Sequence, residues 1–184
     1  MITLAPITWQ NAQIFKTVRL RALQDTPSAF GSTYAREFQL TDDDWLKRAN
    51  RWNGDRAAGF MAFDQASACG IVCSFLDEDD LTRAHLISMW TAPTYRRQGL
   101  GRRLVHEVLA WAGSRGARSM VLLVTSNNQA AQRFYEHLGF AFTGRIEPYP
   151  NDPALIEHEM SGRFPERRGK TRQPSSCCRG AAPA

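Results

Sequence analysis

The chain lacks most of the features that would place it at a glance. Its four cysteines stand at 69, 73, 177 and 178 without histidines at zinc-ligand spacing, so they offer no metal site. Cys69 and Cys73 lie in an apolar run and read as buried, reduced thiols. No apolar stretch approaches the roughly 18 residues needed to cross a bilayer, so no membrane association is expected. Residues 1–6 have neither the basic start nor the long apolar run of a secretory signal, and the expected location is the cytoplasm. Internal repeats are absent. The body of the chain also lacks net charge: residues 1–162 hold 17 basic and 17 acidic residues. The overall +5 belongs to residues 163–184, where six basic residues face one acid, Glu166. That argues against specific nucleic-acid recognition; association through the tail would be weak and salt-sensitive.

What is present suits one domain. The chain has 184 residues, 43% of them hydrophobic and 22% charged, enough for a sizeable core. Residues 2–6 read as an edge strand, and Thr8 as the cap of a helix carrying Ala12, Phe15, Val18, Leu20 and Leu23 down to Asp25. A small-residue connector follows at 28–34. Thr41, with three aspartates behind it, starts a second helix. Strands are expected at 57–63 and 69–75 around a turn at Asp64-Gln65, followed by an acidic loop at 77–80. The near-continuous apolar run 85–91 suggests a central strand. A helix at 100–114, a strand at 119–125, a helix at 127–138 and strands at 140–145 and 155–160 complete the order. The result is an α/β (mixed α+β) domain over 1–162 with helices on both faces of its sheet, then a disordered basic tail over 163–184.

One stretch carries chemistry. The strand ending in Met89-Trp90-Thr91 breaks at Pro93, turns through Arg96-Arg97-Gln98-Gly99-Leu100-Gly101 and runs into the helical pattern. A helix start carrying Gly99 and Gly101 aims unpaired N–H groups and a positive dipole end at a ligand, which suits a pyrophosphate. The arginines could equally be a solvated basic face. A second stretch places Asn128, Ala131 and Tyr135 close to one helix face. Asn128 could simply cap that helix, and Tyr135 could be a core aromatic.

Together the two stretches resemble the Gcn5-related N-acetyltransferase (GNAT) superfamily. Its phosphate motif, Arg/Gln-x-x-Gly-x-Gly/Ala, is matched by residues 96–101. Its later motif, Asn-x-x-Ala-x-x-Phe/Leu-Tyr-x-x-x-Gly-Phe, is matched by residues 128–140. The resemblance implies a central mixed, largely antiparallel sheet of six to seven strands, splayed at the central strand. It implies acetyl-CoA as co-substrate, with no metal. Backbone groups of Met89, Trp90 and Thr91 would meet the pantetheine arm, and the turn Arg96, Arg97, Gln98, Gly99, Leu100, Gly101 and Arg102 the pyrophosphate. Asn128 would hold the arm from the other side, and Tyr135 would act as general acid to the leaving thiolate.

The base is less clear. One branch of the family has a glutamate where this chain has Leu123; the histone-acetylating branch has its base where this chain has His85. Glu37 and the acids at 77–80 are further candidates. The acidic loop itself is either a solvated turn or a patch that draws in a cationic amine. Phe30, Tyr34 and Glu37, with Phe38 and the loop around Tyr149, fall where the family binds its acceptor. The expected activity is acetyl transfer to a primary amine, either a small molecule or a peptide N-terminus. The alternative, motivated by Leu123, is a non-catalytic acyl-CoA-binding sensor or scaffold. A homodimer is compatible with either.

Overall fold

The computed structural model describes residues 1–164. Of the expected tail, only Arg163, at the end of a strand, and Phe164, packed against the core, fall within them. Strands β1 (Ile2–Pro6), β2 (Ala57–Asp64), β3 (Ser67–Leu76), β4 (Arg83–Thr91), β5 (Ser119–Thr125), β6 (Ala141–Pro148) and β7 (Ile156–Arg163) form one sheet in the order β1-β2-β3-β4-β5-β7-β6. All neighbours are antiparallel except β4 and β5. The helices are α1 (Ala12–Asp25), α2 (Tyr34–Phe38), α3 (Asp42–Arg51), α4 (Leu100–Ser114) and α5 (Gln129–Glu136).

Local chemistry sets the ends of these elements. Thr41 and Asp44 cap α3 reciprocally, with Thr41 N–H donating to Asp44 at 2.9 Å and Asp44 N–H donating to the Thr41 hydroxyl at 3.2 Å. The first long helix starts three residues later than its Thr8 signal suggests. A 3-10 turn at Trp9–Asn11 intervenes, held by the Asn11 side chain accepting from Thr8 N–H at 2.8 Å. The connector at 28–34 leads into α2, a five-residue helix too short to show a period. Residues 100–114 and 119–125 form the helix and strand their patterns indicate.

The two sheet faces are covered by different helices. A Cβ on Gly70 would meet Leu104 of α4 at 2.8 Å, while one on Gly59 would meet Trp52, just after α3, at 3.0 Å. The core between these layers centres on fully buried Trp45, Met61, Leu104, Met120 and Met160, with Phe15 edge-on to Trp45 at 5.4 Å. Cys69 and Cys73 are buried free thiols on β3. At the far edge, β6 is exposed along most of its length, and its pairing slips between Phe142 and Ile146, where Gly144 has φ +89°.

The sheet splits at its middle. β4 and β5 pair only through Arg83–Ser119, Ala84–Met120 and His85–Val121. Beyond these pairs β4 carries an extra residue opposite β3, with Ser88 in the left-handed region at φ +56°. β5 instead stays paired with β7 along its whole length. The strands therefore diverge from Leu86 and Leu122 onward.

Glu37 of α2 ties the helical layer together. It accepts from Arg19 of α1 at 3.1 and 2.9 Å and pairs with Arg48 of α3 at 3.0 Å, with 1% of its surface exposed. Burial alone would raise its carboxyl, but Arg19, Arg48 and a Ser32 bond hold it below the ordinary value of 4.5. Its contribution to stability is therefore full above that value and is lost as pH falls through the lowered one. Glu37→Gln leaves Arg19 buried and unpaired. It should cost roughly 3–5 kcal/mol in urea unfolding at neutral pH, and the variant should lose less of its stability on acidification than the parent.

Candidate active site

The split sheet encloses a cavity of about 660 Å³ that runs between β4 and β5. One side is built by Leu86, Ile87, Ser88 and Met89 of β4 and the other by residues 121–125 of β5. Because β4 has no strand partner on this side beyond His85, its backbone edge is open to a ligand. α5 reaches the same space with Asn128, Ala131 and Tyr135.

Tyr135 is 7% exposed, with its ring against Phe134 and Phe140 at centroid distances of 5.1 and 5.7 Å. Its hydroxyl bonds to no protein group among the described residues, and burial raises its pKa well above 10, so the phenol stays protonated at neutral pH. Asn128 is the N-cap of α5: its Oδ1 accepts from Ala131 N–H at 3.1 Å. That uses the carbonyl oxygen of the side chain and leaves its NH2 for the cavity.

The glycine turn lies beside this space. A Cβ on Gly101 would meet Phe134 at 3.1 Å and Met89 at 3.3 Å, so a larger residue there would press on the side chains that join α4 to β4 and α5. Gly99 caps α4 at φ +80° with open space where a Cβ would stand, and Arg97 is also left-handed at φ +61°. Among the described residues the N–H groups of Arg97, Gln98, Gly99, Leu100, Gly101 and Arg102 donate to no protein acceptor. Two of the turn's side chains fold back instead. Arg96 donates to Thr91 O at 3.0 Å and pairs with Asp25, and Gln98 donates to Thr94 O at 2.7 Å. The Trp90 indole donates to the same Asp25 at 2.8 Å. Trp90 and Thr91 thus sit outside the cavity lining, with the Trp90 indole and the Thr91 backbone oxygen serving the strand end.

His85 lines the cavity at the last paired position of β4. Its ring stacks on Phe75 at 4.6 Å, and its Nε2 lies 2.8 Å from Asp77 Oδ2. Asp77 also pairs with Arg83 at 3.0 Å and accepts from the N–H groups of Asp79 and Asp80. The His85 bond, with these other donors, holds the Asp77 carboxyl far below the usual carboxylate range. An ionised Asp77 requires Nε2–H as donor, which leaves Nδ1 as the acceptor of the neutral ring. The acidic loop is thus a built turn whose first residue orients His85.

Among the expected acceptor-side residues, Phe30 and Glu37 line the cavity and Tyr34 does not. Tyr34 stacks on exposed Phe38 at 5.3 Å. The Tyr149 hydroxyl is bound by its contacts to the backbone oxygens of Phe30 at 2.9 Å and Pro27 at 3.1 Å, which closes the loop over this end. Several lining groups have signals in the sequence that a motif search passes over. Arg19 shares the buried helical stripe of Phe15 and Ala22, and Glu157 and Glu159 alternate along β7 so that both face Thr125 and Leu123 across the pair.

The family model described as "Acetyltransferase (GNAT) family" matches residues 20–140. The peptidyl-lysine N-acetyltransferase YjaB of Salmonella typhimurium is 27% identical over 140 residues, 71% of this chain and 81% of that protein. The [ribosomal protein bS18]-alanine N-acetyltransferase of Escherichia coli is 40% identical over 60 residues, 33% of this chain and 40% of that protein, so less than half of that relative is spanned. The fold is similar to that of yncA from Salmonella typhimurium, solved with acetyl-CoA, at TM-score 0.75 and 17% identity over 96% of this chain and 99% of that one. The matched segment takes in both the glycine turn and α5 up to Phe140, and the chain belongs to the GNAT acetyltransferase family.

Proposed function

We propose that the chain transfers an acetyl group from acetyl-CoA directly to a primary amine. The observation that carries this is a cavity bordered by an unpaired backbone edge and a protonated phenol, with a free row of helix-start N–H groups beside it. Open space at Gly99 and unpartnered N–H groups over 97–102 suit a pyrophosphate, and an extended arm fits the edge of β4 with the Asn128 NH2 opposite. The relatives YjaB and the bS18-alanine enzyme are named for a lysine and an alanine acceptor, both amines.

The substrate supplies a thioester whose carbonyl carbon an amine can attack. An amine is mostly protonated near neutral pH, so a proton must leave its nitrogen before or during attack. His85 Nδ1 takes it, with Asp77 holding the ring in that tautomer. As the new C–N bond forms and the C–S bond breaks, the Tyr135 hydroxyl donates its proton to the departing sulfur.

Free-thiol release from acetyl-CoA across a panel of amines tests this reading. Tyr135→Phe should lower kcat by about 10²–10⁴-fold with little change in the KM for acetyl-CoA. Unchanged turnover removes Tyr135 from the acid role. His85→Gln should lower kcat to a similar degree, and its residual rate should climb at high pH as the amine sheds its proton in solution; a flat, undiminished rate excludes His85 as base. Thermal stabilisation by acetyl-CoA with no thiol release from any amine would instead favour a non-catalytic acyl-CoA-binding module, the role suggested by Leu123 in the cavity wall.

A further inference from the structure

The two long walls of the cavity carry opposite charge. On the helical wall Arg19 and Arg48 share Glu37. Arg51, one turn beyond Arg48 on α3, lines the same space and has no carboxylate partner among the described residues. On the sheet wall Arg145 is shared by Glu147 at 2.7 Å and Glu159 at 3.7 Å. Glu157 of β7, directly across from Glu147 and two residues before Glu159, lines the cavity and has no cationic partner among the described residues. Guanidiniums outnumber carboxylates on the helical wall and carboxylates outnumber guanidiniums on the sheet wall, and each wall has one group outside its ion cluster, Arg51 on one side and Glu157 on the other.

A cavity with oppositely charged walls and one unpartnered group of each sign fits a ligand that brings both charges. We infer that the acceptor amine is a zwitterion of the free amino-acid type, its ammonium directed at Glu157 and its carboxylate taken by Arg51. This rests on the acetyltransferase reading and names its substrate class. A guanidinium matches a carboxylate through two parallel donors, so Arg51 would select for the acid as well as attract it. Burial and the neighbouring Glu147 raise the Glu157 carboxyl above its ordinary value, a cost that an arriving ammonium removes. Phe15, Phe30, Trp52 and Phe75 line the remaining space and suit an apolar side chain. A peptide N-terminus, whose own α-carboxyl is an amide, leaves Arg51 unmatched. A polyamine sets a second cation against it.

The test measures thiol release with free amino acids, each beside its carboxamide and its decarboxylated amine, together with peptides and diamines. The best amino acid should exceed its own amide and amine at least tenfold in kcat/KM, mainly through KM. Arg51→Gln should shrink that ratio toward one, and Arg51→Lys should keep part of it. Glu157→Gln should lower kcat/KM for the amino acid. Amides, peptides or diamines used as well as amino acids, or a ratio unchanged in Arg51→Gln, would overturn this assignment alone. No thiol release from any member of the panel, with acetyl-CoA still raising Tm, would overturn the acetyltransferase reading itself.

Discussion

Arg19 joins the helices to the split sheet. Its guanidinium, in a residue only 8% exposed, grips both oxygens of Glu37, donates to Ser88 Oγ at 3.3 Å and lies over the Phe30 ring at 4.7 Å. Through Glu37 it fixes α2 and, by way of Arg48, α3. Through Ser88 it reaches the bulge where β4 turns away from β5. A buried ion pair adds little net stability over an apolar replacement, but it fixes geometry, because neither partner tolerates losing the other. Here the fixed geometry is the cavity wall.

The divergence of β4 from β5 follows from that bulge and has its own anchor. A strand that leaves its neighbour gives up ladder bonds and would be free to drift. Asp25, at the end of α1, prevents this by taking both the Trp90 indole N–H and the Arg96 guanidinium. The burial of Asp25 would raise its carboxyl, yet the Trp90, Thr26 and Arg96 donors bring it below 3.8. The strand end is held by side chains while its backbone edge stays open. That division of labour explains why Trp90, a residue of the motif strand, has its indole on α1 and not in the cavity.

The parts legible in the sequence are those with a period or a glycine. The α4 helix, strand β5 and the Thr41 cap show themselves through spacing, and the glycine turn through Gly101, where a Cβ would press on Met89 and Phe134. His85 and Tyr135 are visible as positions in a pattern. What escapes is contact across the fold. Nothing along the chain says that Asp77 returns to His85 over an eight-residue gap, or that Arg19 and Glu37 meet from different helices. Helix α2 escapes because five residues cannot show a repeat of 3.6. The charge segregation of the cavity walls is equally hidden, since it brings residues 19–51 opposite residues 145–159.

Cys73 stands directly across from Ile87 on β3, beside the bulge at Ser88. A sulfur at such a place could serve as a resting point for an acyl group, passing it on in a second step. Burial pushes this thiol up to about 12, against 9.0 for a free one. At neutral pH the thiol is then held protonated, and the thiolate is the nucleophile. Cys69, also buried, is raised as well. Burial thus holds both core sulfurs of the described residues as neutral, poorly nucleophilic thiols, which disfavours a double-displacement route through them.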